Sequence, residues 1–236
     1  MKQQIEGLFL SAQNYTGSSV IVHLFTRKYG RQSFIFKGAK KKNKPFIFQP
    51  FHFIEFSAHF NEEKNLNSAL SPSLVHPFHD ITNDVRKVSI ALFLTEVLHS
   101  LLKEGAYSPL LYTYLESSIT LFDEQKFNSN FHLFFLANLL PYLGIEPKKN
   151  YSKSNPKFCV HSAQFVSDSK YPIYDNNISY AFYHLLGTEI DASSIHEIVK
   201  NNKNELIELI FNYLRIHFQF NAEKIKSHRV LKTIFH

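Results

Sequence analysis

From Gln3 to about Leu70, apolar residues recur in runs of strand length: Ile5 to Leu10, Val20 to Thr26, Gln32 to Lys37, Pro50 to Ser57 and a weaker Asn65 to Leu70. Alternation is plain where His23 and Phe25 oppose Val22 and Leu24, and where Phe34 and Phe36 oppose Ser33 and Ile35. Polar or glycine-containing breaks fall at Asn14 to Ser19 and at Tyr29-Gly30. A period of two bounded by turn residues predicts five short strands.

After Pro77 the period becomes helical. Val85, Val88, Leu92, Thr95, Leu98 and Leu102 fall on one face, and Ile90, Phe93, Leu94, Val97 and Leu101 widen it until the helix is mostly buried. Gly105 ends that helix, and Ser108-Pro109 opens the next with a hydroxyl cap followed by proline at the first helical position, carrying Leu111, Tyr114, Leu115, Ile119 and Phe122 inward. A third helix runs from about Ser129 to Leu143 and stops at Gly144, with Pro147 preventing resumption. Lys148 to Asn177 is rich in Lys, Ser, Asn and Pro and reads as an irregular insert, with a hairpin through Lys157 to Val160 and Gln164 to Val166. Helix returns at Ile178 to Leu186. Ser194 with Glu197 then forms a capping box for a long helix whose stripe is Ile195, Ile198, Val199, Leu206, Leu209, Ile210, Tyr213 and Leu214.

The predicted class is α+β with the elements segregated: a five-stranded OB-like β-barrel over 1–78, then an α-helical domain over 79–236 that carries the insert at about 148–177. The OB fold is the common five-stranded barrel, and an SH3-like barrel is the main alternative. No internal repeat is present.

A chain of 236 residues with 44% hydrophobics can bury a substantial core, which excludes a disordered or fibrous protein. The first residues do not form a secretory signal, and no segment approaches the roughly 18 uninterrupted apolar residues of a membrane span, so a soluble, cytoplasmic protein is expected. Cys159 is the only cysteine, which excludes an internal disulfide framework and a thiolate cluster. Thirteen histidines are scattered, and nothing in the insert completes a ligand set begun by Cys159 and His161, so no metal or other cofactor is expected. The chain lacks a GxxxxGK[ST] loop, a GxSxG elbow and a kinase motif set. Glu62-Glu63 and Asp123-Glu124 read as solvated turns. No catalytic residue is nominated, and the expectation is a protein that is not an enzyme.

The net charge of +6 is unevenly spread. Met1 to Phe78 holds ten Lys/Arg against four Asp/Glu, whereas the remainder holds sixteen of each. Such asymmetry points to a polyanionic partner for the first third. The sharpest feature is the basic loop Lys37-Gly38-Ala39-Lys40-Lys41-Lys42-Asn43-Lys44-Pro45, with Arg27, Lys28 and Arg31 at the preceding turn. Cations tracking phosphates beside aromatic faces are what single-stranded nucleic acid requires. Strand phenylalanines are usually core, so Phe34, Phe36, Phe48, Phe51, Phe53 and Phe56 are assigned to packing. The predicted contacts are Arg27, Lys28, Arg31, Lys37, Gly38, Lys40, Lys41, Lys42 and Lys44, holding phosphate without reading base edges. Gly38 serves either an ordinary turn or a close approach to phosphate.

Leu24-Phe25-Thr26-Arg27 followed by Gly30, then Lys37-Gly38-Ala39, then Gln49-Pro50-Phe51, resemble the amino-terminal OB domain of the RecO family of bacterial recombination mediators. Leu98 to Leu121 is similar to its paired helices, Leu139 to Pro147 to its LLxxLGxxP stretch, and Ile225 to Leu231 to its closing lysine-serine motif. Where many members carry four cysteines of a zinc module, this chain has an insert with only Cys159. The resemblance implies binding of single- and double-stranded DNA and annealing of complementary strands. It also implies contact with the C-terminal tail of single-strand-binding protein, and joint action with RecR in loading RecA, in a bacterial cytoplasm and at the nucleoid during repair. An RNA-binding OB protein of translation or RNA maturation is the alternative that the same loop serves. An enzyme using scattered histidines and carboxylates, and a pure interaction module, stand behind it.

Overall fold

The computed structural model describes residues 2–39, 47–105, 107–187 and 196–234. By packing, the chain divides into two compact units, one of Met1–Phe127 with Ile225–His236 and the other of Asn128–Lys224.

The first unit begins with five strands, β1 (Lys2–Asn14), β2 (Val20–Thr26), β3 (Gly30–Phe36), β4 (Phe53–His59) and β5 (Asn67–Leu74). They are hydrogen-bonded in the cyclic order β1-β2-β3-β5-β4 and back to β1, so the ring of pairings closes. All neighbours are antiparallel except β3 and β5, which run parallel over Phe34 to Phe36 and Asn67 to Ala69. β1 serves two partners, its first half pairing with β4 and its second with β2. Gly7 stands at the changeover, opposite both Thr26 and Ile54. A Cβ there would come within 3.1 Å of the Leu24 Cβ and 3.2 Å of the Phe25 carbonyl oxygen, so glycine lets the strands approach here without displacing a neighbour. Inside lie Ile5, Val22, Leu24, Phe34, Phe36, Phe48, Ile54 and Phe56, all buried. The Phe34 ring meets Phe56 edge-on at 4.6 Å between centroids, a favoured aromatic geometry. Phe51 and Phe53 are buried as well, so all six phenylalanines assigned to packing are core, although Phe48 and Phe51 stand in the segment before β4 rather than on a strand.

The helices that share this unit are α1 (Asp80–Asn83), α2 (Val85–Leu101), α3 (Pro109–Glu124) and the closing α8 (Ser227–Ile234). The Ser108 hydroxyl caps α3 by accepting from the Leu111 N–H at 3.2 Å, with Pro109 at the first position, as expected. α2 is mostly buried, but its stripe is rotated from the predicted one. Val85, Val88 and Leu92 are exposed, and Lys87 is 1% exposed. Its ammonium donates to Asp80 Oδ2 (3.3 Å) and to the carbonyl oxygens of Asp123 (2.9 Å) and Gln125 (2.7 Å). The Asp123 carboxylate in turn accepts from the backbone N–H groups of His79, Asp80 and Ile81. Asp123 is thus a structural cap rather than part of a solvated turn. At the chain's end, Glu96 Oε2 accepts from both the backbone and the hydroxyl of Ser227, which fixes the start of α8.

The second unit holds α4 (Phe131–Leu139) with a turn of 3-10 helix over Leu140–Leu143, the hairpin β6 (Lys157–Cys159) and β7 (Gln164–Val166), α5 (Asn176–Leu185), α6 (His196–Asn201) and α7 (Lys203–Phe218). Gly144 takes φ 74° and closes the helix where glycine and Pro147 predicted a stop. The hairpin in the insert falls where the sequence placed it. Ser194 and Ile195 lie outside the described residues. The long helix predicted beyond them is interrupted at Asn202, whose side chain donates to the Ile198 carbonyl oxygen at 2.7 Å. Phe158 joins the hairpin to the helices, packing on Phe182 at 4.7 Å, and the Tyr213 hydroxyl donates to the Ile145 carbonyl oxygen at 2.8 Å.

Candidate nucleic-acid interface

From Gly7 to Ile54 the chain carries eight Lys/Arg and no Asp or Glu. The barrel sorts these cations into two kinds. Lys28, in the β2–β3 turn, and Lys37, just past β3, are exposed, so strand β3 has a free cation beyond each end. Gly38 follows at φ 71°, the left-handed region that glycine enters without strain, and turns the chain out of the sheet. Lys40, Lys41, Lys42 and Lys44 lie outside the described residues.

Arg27 and Arg31 face inward toward the helices of their own unit. The Arg27 guanidinium donates to Glu6 Oε1 (3.2 Å) and Glu116 Oε1 (2.5 Å), and lies 4.5 Å above the centroid of Tyr112. The Tyr112 hydroxyl donates to Glu6 at 3.0 Å, and its pKa is raised first by burial and then by that carboxylate. Burial disfavours the Arg27 charge, but the bond to Glu6 and the nearby charges of Glu6 and Glu116 outweigh it and raise its pKa. Arg31 donates from Nη1 to the carbonyl oxygens of His99 (2.8 Å) and Leu102 (2.5 Å), at the end of α2, where a cation also opposes the negative end of the helix dipole.

Around Arg31 lies a polar cluster shared by the barrel and α2. His23 Nδ1 is 2.8 Å from the Ser33 hydroxyl, His99 Nδ1 is 3.3 Å from Ser11, and the two imidazole centroids are 5.6 Å apart. Burial, reinforced by Arg31 and His23, holds His99 down at about 4. Burial and Arg31 lower His23, against the opposing charge of Glu104. Both rings are neutral at pH 7. A serine-histidine pair suggests a nucleophile, but Ser33 is buried and its hydroxyl donates to Glu104 at 3.4 Å. A cleft of about 160 Å³ lined by Gln4, Ile5, Glu6, Arg27, Lys28 and Glu55 sets two cations against two carboxylates, leaving no net charge for a phosphate.

In the insert, the buried Cys159 thiol lies 3.4 Å from the Ser169 hydroxyl. Burial raises its pKa, and hydrogen bonds with Ser162 and Ser169 pull it below the ordinary thiol value. Among the described residues, no group of three or more His, Cys, Asp or Glu is arranged to hold a metal ion. Among them too, no helix is long and apolar enough to cross a membrane.

The fold and surface define an OB-type barrel protein with a basic barrel edge and a helical extension. Residues 1–78 match the family described as recombination protein O N terminal, and residues 82–224 match recombination protein O C terminal. The chain belongs to the RecO family. Over their full lengths, it is 31% identical to the DNA repair protein RecO of Phocaeicola vulgatus and 30% identical to that of Bacteroides fragilis. It is 27% identical to that of Flavobacterium psychrophilum, again with both chains wholly covered.

The exposed Lys28 and Lys37 were legible as members of a basic stretch. The inward roles of Arg27 and Arg31 were not, because their partners stand up to 89 positions away in sequence.

Proposed function

We propose that this chain is a non-enzymatic recombination mediator that binds single- and double-stranded DNA through its barrel and anneals complementary strands. The observation that carries this reading is the acid-free run from Gly7 to Ile54, with Lys28 and Lys37 exposed around β3 and four further lysines in the sequence that follows. A polyanion gains most where its counterions are displaced by unpaired cations. The phosphate contacts are assigned to Lys28, Lys37, Gly38, Lys40, Lys41, Lys42 and Lys44, whereas Arg27 and Arg31 set the barrel on its helices. The six phenylalanines of the barrel region are buried and offer no face to a base, so a strand held by its phosphates keeps its bases free for pairing. Family membership supports the further assignments. These are joint action with RecR, contact with the C-terminal tail of single-strand-binding protein and loading of RecA, in the bacterial cytoplasm and at the nucleoid during repair.

The test is the salt dependence of binding to a fluorescent single-stranded DNA, for the wild type and for a variant with Lys40, Lys41, Lys42 and Lys44 replaced by alanine. Loss of four phosphate contacts shrinks the log-log slope by roughly 3, at about 0.7 per contact, and slows annealing. An unchanged slope removes the loop from the site, and a preference for RNA of equal sequence assigns the barrel to RNA.

A further inference from the structure

A second acid-free stretch lies in the other unit. Pro147 to Ser167 carries Lys148, Lys149, Lys153 and Lys157 and no Asp or Glu. The structure folds this stretch against α5. The Lys148 N–H donates to the Ala163 carbonyl oxygen at 2.8 Å, and the Asn150 side chain brackets the Phe165 backbone with two hydrogen bonds, so residues 148–150 run beside β7. That placement delivers Tyr151 onto two tyrosines of α5. Its ring stacks on Tyr183 at 5.1 Å and 26° and meets Tyr180 at 5.6 Å. His184 closes the group edge-on to Tyr180 at 4.4 Å. The buried Phe165 braces it from beneath, perpendicular to Tyr151 at 5.5 Å and to Tyr183 at 5.8 Å.

Three features separate this cluster from core packing. Tyr180 is 40% exposed. Among the described residues, the hydroxyls of Tyr151, Tyr180 and Tyr183 make no hydrogen bond, whereas those of Tyr112, Tyr174 and Tyr213 are all engaged. Lysines flank Tyr151 in the chain: Lys148, whose ammonium meets only the neutral Gln164 side chain at 3.4 Å, and Lys153 are exposed, and Lys149, paired with Glu146 at 3.2 Å, reaches over Gly187 just past α5.

We propose that the Tyr151–Tyr180–Tyr183 cluster, with Lys148 and Lys153, is a second nucleic-acid site that stacks the bases of a single strand. Rigid aromatic faces beside unopposed lysines are the chemistry of a single-strand platform, and such stacking is tolerant of sequence. The inference rests on the reading of the chain as a DNA-binding protein and adds to it a site of a different kind. The barrel holds phosphates, while this surface holds bases.

The test is photocrosslinking of the full chain to oligothymidine carrying 5-iodouracil, with the crosslinked peptides mapped by mass spectrometry. Crosslinks to Tyr151, Tyr180 or Tyr183 are expected. Tyr180→Ala should remove most of them and weaken single-strand binding by about 5-fold or more, the effect of losing one stacked base. Tyr180→Phe, which keeps the ring, should restore both. Lys148→Ala with Lys153→Ala should lower the salt slope by about 1.4. Crosslinks confined to the barrel overturn this site and leave the barrel reading standing. Crosslinks confined to the tyrosines uphold this site, because a barrel that holds phosphates alone presents no partner to a probe carried on the base. Unchanged affinity in Tyr180→Ala, tested in the background of the four-lysine loop variant, overturns the proposal and leaves the cluster to a protein partner.

Discussion

Arg31 donates to the carbonyl oxygen of Leu102, the residue just past the end of α2, and a second bond from the same nitrogen reaches the His99 carbonyl oxygen. A residue that lies in a basic stretch of sequence is thereby a helix cap in three dimensions. Its charge satisfies carbonyls that the helix itself leaves unpaired.

The two arginines and the loop lysines should therefore separate in experiment. Arg31→Gln is expected to cost about 2 kcal/mol of stability, the range for a hydrogen bond made by a charged donor, and to leave the salt slope of DNA binding unchanged. Arg27→Gln, which leaves Glu6 its bond from Tyr112 and removes a more exposed guanidinium, should cost less, about 1 kcal/mol, and likewise leave the slope unchanged. Denaturant unfolding and salt titration on the same preparations check both halves.

Lys87 makes the same point inside the helices. Lys87→Met keeps most of the volume but removes the donor shared by Asp123 and Gln125, leaving their carbonyl oxygens without it. The expected loss is about 2 to 4 kcal/mol, seen as a lower unfolding midpoint with DNA affinity retained below it.

The His23–His99 pair predicts acid sensitivity. The folded-state pKa of His99 is depressed to about 4 from an ordinary 6.5, so between these values the unfolded chain binds a proton that the folded chain does not. Stability is therefore full above about pH 6.5 and falls as the pH drops toward 4. The loss is on the order of 2 kcal/mol once solvent screening at a half-buried ring is allowed for. Unfolding midpoints at pH 7, 5.5 and 4.5 should decline, and His99→Gln should flatten the decline relative to the wild type. A parallel decline in the variant places the acid sensitivity elsewhere.

Gly7→Ala tests the closure of the barrel. The added methyl meets the Leu24 Cβ and the Phe25 carbonyl oxygen inside ordinary contact distance, between two strands that β1 joins at once. A loss of about 1 to 3 kcal/mol is expected, from relaxation of strands rather than of a flexible side chain. Thermal melting followed by far-UV circular dichroism is the check.

Much of this architecture was readable from local pattern, because period, caps and breakers act over a few residues. The alternation around Phe34 and Phe36, the Ser108-Pro109 start of α3, the stop at Gly144 and the hairpin at Lys157 to Val166 depend on neighbours in the chain, and all are present. The rotation of α2 was not readable. Apolar residues ring most of that helix, so periodicity alone leaves its orientation open. The buried ammonium of Lys87 and the outward Val85, Val88 and Leu92 follow from what packs against it.

By itself, then, the sequence determined the segregation of strands before helices, the local ends of most elements and the bias of positive charge toward the first third. Tertiary structure alone decided the parallel closure of β3 on β5, which cations stay free and which are taken up, and the gathering of Tyr151 with Tyr180 and Tyr183. The physical reason is one of range. Propensity and capping are settled within a turn or a strand, whereas the partner of a charge or an aromatic face is set by packing that joins residues tens of positions apart.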